Sequence, residues 1–172
     1  VTSATPARTL EVRHVQLARA GAAALAALMI TFSPDHSASF GVAVFSGFAI
    51  VTALIHFFAV WVVFPAGQRT PSVLLGFASL AAGLAGGVGL TRTILGFFII
   101  VIAWALFTGL VETIAGARRL RGPRALKPGE IAPWSDGTEA PPPPRSESRD
   151  ALVVGILTLV LGLALLCVPT GY

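Results

Sequence analysis

At 172 residues, with twelve Lys and Arg against eight Asp and Glu and a formal net charge of +4, the chain is small and basic. Its 55% hydrophobic and 12% charged residues and its mean hydropathy of +0.81 exclude a soluble domain of this size and describe an integral membrane protein. The apolar runs, about 18 to 26 residues long, match what a helix needs to cross a hydrocarbon core of roughly 30 Å at about 1.5 Å per residue.

In chain order the sequence reads as a cytoplasmic N-terminal tail over 1–14, then spans over 15–32 and 40–64, which form a first transmembrane hairpin within 15–66. Spans over 71–90 and 93–117 form a second hairpin within 71–117. A basic, Pro-rich cytoplasmic loop occupies 118–150, and a fifth span over 151–168 opens a third hairpin within 151–172. The expected fold is therefore all-α, a polytopic membrane helical bundle of five spans built from repeated hairpins. The polar tail lacks the features of a secretory signal, so the first helix is expected to stay attached.

With the N-terminus in the cytoplasm, eleven of the twelve basic residues fall on the inner side and only Arg92 on the outer, a strong positive-inside bias. The inner cluster Arg118, Arg119 and Arg121 is the candidate contact for anionic lipid headgroups. Gly122-Pro123, Lys127-Pro128-Gly129, Asp136-Gly137 and Pro141 to Pro144 break the loop. Trp134 stands out there as an interfacial anchor, a partner contact or a residue packed on the adjacent protein surface. Cys167 is the single cysteine, so no intramolecular disulfide forms.

The spans repeat. Ala49-Ile50-Val51-Thr52-Ala53-Leu54-Ile55-His56 matches Ala105-Leu106-Phe107-Thr108-Gly109-Leu110-Val111-Glu112 at an offset of 56. The same offset lays the first span on the third, Ala22 on Ala78 and Leu28 on Leu84, and an offset of 79 lays the third on the fifth, Gly76 on Gly155 and Gly83 on Gly162. In this register each odd span carries small residues seven apart, Ala20 and Ala27, Gly76 and Gly83, Gly155 and Gly162. Seven residues is about two turns, so each pair shares one face, suited to close backbone packing against a neighbouring helix. Pro34 and Pro169 fall at the same register position, each ending an odd span. A third hairpin would need a second arm, so a sixth helix is expected in the parent protein, or this chain is a truncated product.

A small residue, a Leu-rich turn, a second small residue and a closing Pro, followed by a helix ending in a basic cluster, resembles the HdeD-like membrane proteins. The residues that carry it are Gly155, Gly162 and Pro169, with Trp104 to Glu112 running into Arg118-Arg119-Leu120-Arg121. The resemblance implies a six-helix bundle, a bacterial cytoplasmic membrane location and a link to acid resistance. The long Pro-rich loop and the absent sixth helix depart from that pattern.

Intramembrane chemistry reduces to His56 and Glu112, which occupy equivalent repeat positions. An ionisable side chain at the bilayer centre costs about 2.5–3.5 kcal/mol on insertion scales, so such residues face protein or water. One reading is a proton-sensing or proton-relaying pair, with Glu112 stabilising the charged imidazole. The other is ordinary polar packing, with Glu112 reaching the arginines at its helix end. Thr52 and Thr108 are expected to bond their own helix carbonyls. Trp61 reads as an interfacial residue and Trp104 as packing.

No HExxH, GxSxG, phosphate-binding loop or Cys/His cluster is present, and Asp35-His36 alone makes neither a metal site nor a triad. The expectation is a protein that is not an enzyme and needs no cofactor or metal. Its expected partners are membrane lipids and copies of itself or other membrane subunits, not nucleic acid. Two functions remain: a packing or stress-linked scaffold, or a small transporter or proton pathway using His56 and Glu112.

Overall fold

A computed structural model describes residues 12–64, 69–89, 93–122 and 145–167. It has five helices, α1 Val12–Phe32, α2 Ala38–Val62, α3 Thr70–Ala85, α4 Ile94–Arg121 and α5 Arg145–Leu166, and no strand among the described residues. The chain is an all-α membrane protein, and α1, α2, α4 and α5 are each long and apolar enough to cross a bilayer.

The helix ends follow local chemistry. Ser37 caps α2 by accepting a hydrogen bond from the Phe40 N–H at 3.2 Å, and Thr93 caps α4 by accepting one from Gly96 at 3.0 Å. Pro34 follows α1 shortly after its last residue, as the repeat register expects. Pro71 sits in the first turn of α3, where a missing N–H costs nothing. The Arg69 Nε donates at 3.0 Å to the Phe64 carbonyl just past α2 and so ties that helix end to the start of α3.

The three largest differences from the expected element boundaries each have a physical reason. The third span was expected over 71–90, but α3 is 16 residues, about 24 Å at roughly 1.5 Å per residue, and stops at Ala85. Gly86-Gly87 follow, and there the amides of Gly87 and Val88 bond carbonyls three residues back, tightening the chain out of α-geometry. At the loop, helix replaces both expected ends: α4 runs on through Arg118, Arg119 and Arg121, and α5 begins at Arg145. A helix satisfies its own backbone beyond the hydrocarbon edge, and cations in its last turn suit the dipole. Gly122 stops α4 with an extended backbone (φ −69°, ψ 174°), the conformation that the following Pro123 imposes.

The chain divides into two compact units, Val1–Val88 and Gly89–Tyr172. In the first, α2 packs against α3 and, less extensively, against α1. Val12 and Val15 of α1 pack on a small core of Ala59, Val63 and Phe64 at the end of α2, while no residue of α1 is buried. In the second unit α4 and α5 pack along their lengths as an antiparallel pair, with Gly109 against Gly155 and Leu159 and Gly116 against Leu152.

Candidate functional site

The polar residues singled out by the sequence are buried in both units. On α2, Ala49, Thr52, Ala53 and His56 are buried, with Thr52 2% and His56 3% exposed. Their spacing puts them on one face, Thr52 one turn before His56. On α4 the positions 56 residues later, Ala105, Thr108, Gly109 and Glu112, are buried in turn, Glu112 at 5% exposure. His56 belongs to the first unit and Glu112 to the second.

The equivalent positions differ in how their polar atoms are satisfied. Thr108 Oγ1 donates to the Trp104 carbonyl at 2.7 Å, and Thr113 Oγ1 donates to Gly109 at the same distance, as expected for hydroxyls inside a membrane helix. Thr52 Oγ1 makes no such bond, and Thr52 Oγ1 and His56 Nδ1 are buried without a hydrogen-bond partner. Arg19 of α1 is an electrostatic neighbour of His56 and donates to Gln16 Oε1 on its own helix at 3.4 Å. A buried polar atom with no partner retains its desolvation cost, about 1–3 kcal/mol, so among the described residues of the first unit these two atoms carry that cost.

The small-residue faces divide three ways. Gly155 lies against the α4 backbone: a Cβ there would stand 2.5 Å from Thr113 N and 2.9 Å from the Glu112 carbonyl carbon. Gly162 lies against the Leu106 side chain and Ala105 Cβ. Gly76 and Gly83 of α3 meet α2, a Cβ at Gly76 falling 2.7 Å from the Phe57 ring and one at Gly83 2.6 Å from Ile50 Cγ1. Ala20 and Ala27 differ, because α1 leaves both exposed where packing against a neighbouring helix was expected. Two residues that the repeat argument passed over complete the α4 face: Gly109 and Gly116 are seven apart, and each touches the α5 backbone at 2.7 Å from an added Cβ. The same two-turn spacing that marked the odd helices was the available signal.

The antiparallel α4–α5 pair brings Arg118, Arg119 and Arg121 to the same end as Arg145 and Arg149. Arg119 is half-buried with Glu147 as its charge neighbour, while Arg118, Arg121, Arg145 and Arg149 are exposed. Ser148, in the first turns of α5, is 1% exposed and was not anticipated.

Trp61 is 88% exposed near the end of α2, and Trp104 is half-buried. Cys167 is exposed and unpaired with any other cysteine. Asp35 forms a turn before α2: its Oδ1 accepts from the Ser37 N–H at 2.8 Å, and that bond, helped by the Ser37 side chain and by His36, holds the carboxyl below its ordinary value of 3.8. Among the described residues no group of three or more His, Cys, Asp or Glu is placed to hold a metal. Trp134 and Pro169 lie outside the described residues.

Compared with known proteins, the chain matches no family model, no curated protein and no solved structure. Its class therefore rests on its own helices: it is a multi-pass helical membrane protein with polar residues buried at regular positions.

Proposed function

We propose that this chain is a non-enzymatic packing or scaffold protein of the bacterial cytoplasmic membrane, acting by association with a second copy or with other membrane subunits. The observation that carries this reading is α1. It is a 21-residue apolar helix with no buried residue, and its small-residue face, Ala20 and Ala27, points away from the half-buried Ala22 and Ala26. The register-equivalent faces of α3 and α5 are closed by a neighbouring helix, so α1 offers the same kind of surface still open. The positive-inside count supports a cytoplasmic N-terminus, and the shared burial at offset 56 supports descent of the hairpins from a duplicated unit. The HdeD-like resemblance, with its stress-response connotation, belongs to this same proposal.

The test is cysteine cross-linking in membranes, in a Cys167→Ser background. Ala20→Cys and Ala27→Cys should give a disulfide-linked dimer or a cross-link to a partner, and Ala22→Cys should give neither. Equal cross-linking at all three positions, or at none, would overturn the reading.

A second reading has a specific observation behind it. The unpartnered His56 Nδ1 and Thr52 Oγ1, together with the buried Glu112, are the kind of intramembrane polar groups that proton pathways use. Proton flux into liposomes across pH 5 to 8, lost in both His56→Ala and Glu112→Gln, would favour that pathway; no flux above empty liposomes would remove it.

A further inference from the structure

The arginines at the shared end of α4 and α5 fall on different sides of the pair. Gly116 and Gly155 each face the opposing helix, so the turn from them, at about 100° per residue, gives the side on which a residue stands. Arg121 stands about 140° round α4 from Gly116, and Arg145 and Arg149 stand about 80° and 120° round α5 from Gly155. In an antiparallel pair of right-handed helices the same sense of rotation leads to the same side, so these three arginines share one side. Arg119 and Glu147, at about −60° and −80°, share the other, and the charge interaction between them agrees with that placement. Asp150 turns the same way as Glu147, so both acidic residues near the start of α5 lie away from Arg121, Arg145 and Arg149. Arg118 points almost directly away from α5, at about 200°.

Their height matters as much as their side. Gly116 lies against Leu152, which sets Ala117 level with Asp150 and Ala151, and there both helices change from apolar to charged. Beyond that level Arg149 stands by about 3 Å, and Arg121 and Arg145 by about 6–9 Å, within reach of a headgroup layer about 5–8 Å thick. On the same side below it, Leu110 and Ile114 of α4 and Ile156 and Leu163 of α5 are exposed and apolar. The three arginines are exposed, and among the described residues none is paired with a carboxylate. Cations above an apolar track complement a phosphate that carries a hydrocarbon chain, and guanidinium forks suit phosphate oxygens. We infer that this side of the α4–α5 end binds the phosphate of an anionic phospholipid through Arg121, Arg145 and Arg149, with an acyl chain along the apolar surface below. Of the three arginines singled out in the sequence only Arg121 takes part, and the two arginines of α5 replace Arg118 and Arg119. The site belongs to the second unit and does not rest on association through α1.

The experiment titrates the purified full chain in a neutral detergent with phosphatidylglycerol or phosphatidylcholine and reads bound lipid by native mass spectrometry. The wild-type chain should retain phosphatidylglycerol in preference to phosphatidylcholine, whose choline cation would face the arginines. The double variant Arg121→Gln with Arg149→Gln should weaken that retention about tenfold, or about 1.4 kcal/mol. Arg118→Gln removes the same charge near the same level but on the far side of α4, and should weaken it less than about twofold. Arg13→Gln, in the first unit, should leave it unchanged. All four arginines are exposed, so these variants should melt as wild type does. Equal retention of phosphatidylcholine, or wild-type retention by the double variant, would overturn the inference. A loss with Arg118→Gln as large as with Arg121→Gln would also overturn it, since the attraction would then be to net charge without a site. Inorganic phosphate at the lipid's concentration should leave the lipid in place; displacement would assign the arginines to a soluble anion instead. Loss of the α1 cross-links with lipid retention intact would strike only the association reading.

Discussion

The two tightly packed pairs, α2 with α3 and α4 with α5, solve the same problem with different materials. Lipid offers helices no hydrophobic drive to associate, so contact must come from van der Waals fit. In the first pair the fit is made by side chains at Gly76, which receives the Phe57 ring that packs edge-on against Phe77 at 5.2 Å, and by side chain and backbone together at Gly83, which meets Ile50 Cγ1 and the α2 backbone at Ser46 and Ile50. In the second it is made by backbone on backbone, with glycines on both helices, Gly109 and Gly116 on one and Gly155 on the other. The sequence source of the difference is two positions. Where α4 has Gly109 and Gly116 against the α5 backbone, the register places Ala53 and Val60 in α2. A ring rotates out of the way of an added methyl; a backbone does not.

That contrast is most easily broken with alanine. Gly155→Ala should destabilise the second pair by about 1–3 kcal/mol, because the new Cβ meets Thr113 N and the Glu112 carbonyl carbon. Gly76→Ala should cost clearly less, since the Phe57 ring can give way. Unfolding in detergent against rising denaturant ranks the two, and equal costs would end the distinction between backbone and side-chain fit.

The equivalent threonines sharpen the comparison at the next level. Thr108→Val removes a 2.7 Å bond to Trp104 and should cost about 0.5–1.5 kcal/mol, less whatever the helix recovers in apolar packing. Thr52→Val removes a buried hydroxyl without a partner and should be neutral or stabilising by up to about 1 kcal/mol. Opposite signs in the same unfolding assay are the expected result. Arg119→Gln comes next: it removes the charge opposite Glu147, and since Arg119 sits at the half-exposed edge of the pair the loss should be under about 1 kcal/mol and shrink with added salt.

The smallest effect is acid sensitivity at the start of α2. Asp35 has its folded-state value lowered by the Ser37 amide, so its contribution is fully present above the ordinary aspartate value of 3.8 and disappears as pH falls through the lower folded value. Asp35→Asn should abolish that acid-side change while leaving stability at neutral pH almost as it was. An unaltered acid profile in the variant would mean that the Ser37 turn holds without the carboxylate.

Much of this architecture is written in local patterns. Apolar length located five helices, Ser37 and Thr93 supplied caps, and the spacing of Gly155 and Gly162 marked a packing face that the structure closes. Hydropathy failed at the polar ends, because α4 and α5 continue where charge replaces apolar residues; a membrane sets where hydrophobicity stops, and helical hydrogen bonding sets where the helix stops. Small-residue spacing also failed for α1, since Ala20 and Ala27 have the required pattern but are exposed. A periodic face states that contact is geometrically possible, and what fills it depends on the rest of the assembly. The different satisfaction of Thr52 and Thr108 was hidden for a similar reason: the two have the same residue type and the same position in the register, yet only Thr108 Oγ1 bonds its own helix carbonyl.

The glycine contacts between α4 and α5 also make this pair its own adhesive. With Gly109, Gly116 and Gly155 interlocked, sliding one helix past the other by about a turn would bring Leu152 or Leu159 to the place of Gly155 against the Thr113 backbone, so the partners recognise one another by position as well as by affinity. A chain cut between Gly122 and Arg145 should consequently yield two pieces that find each other again in the bilayer, each serving as the template on which the other settles.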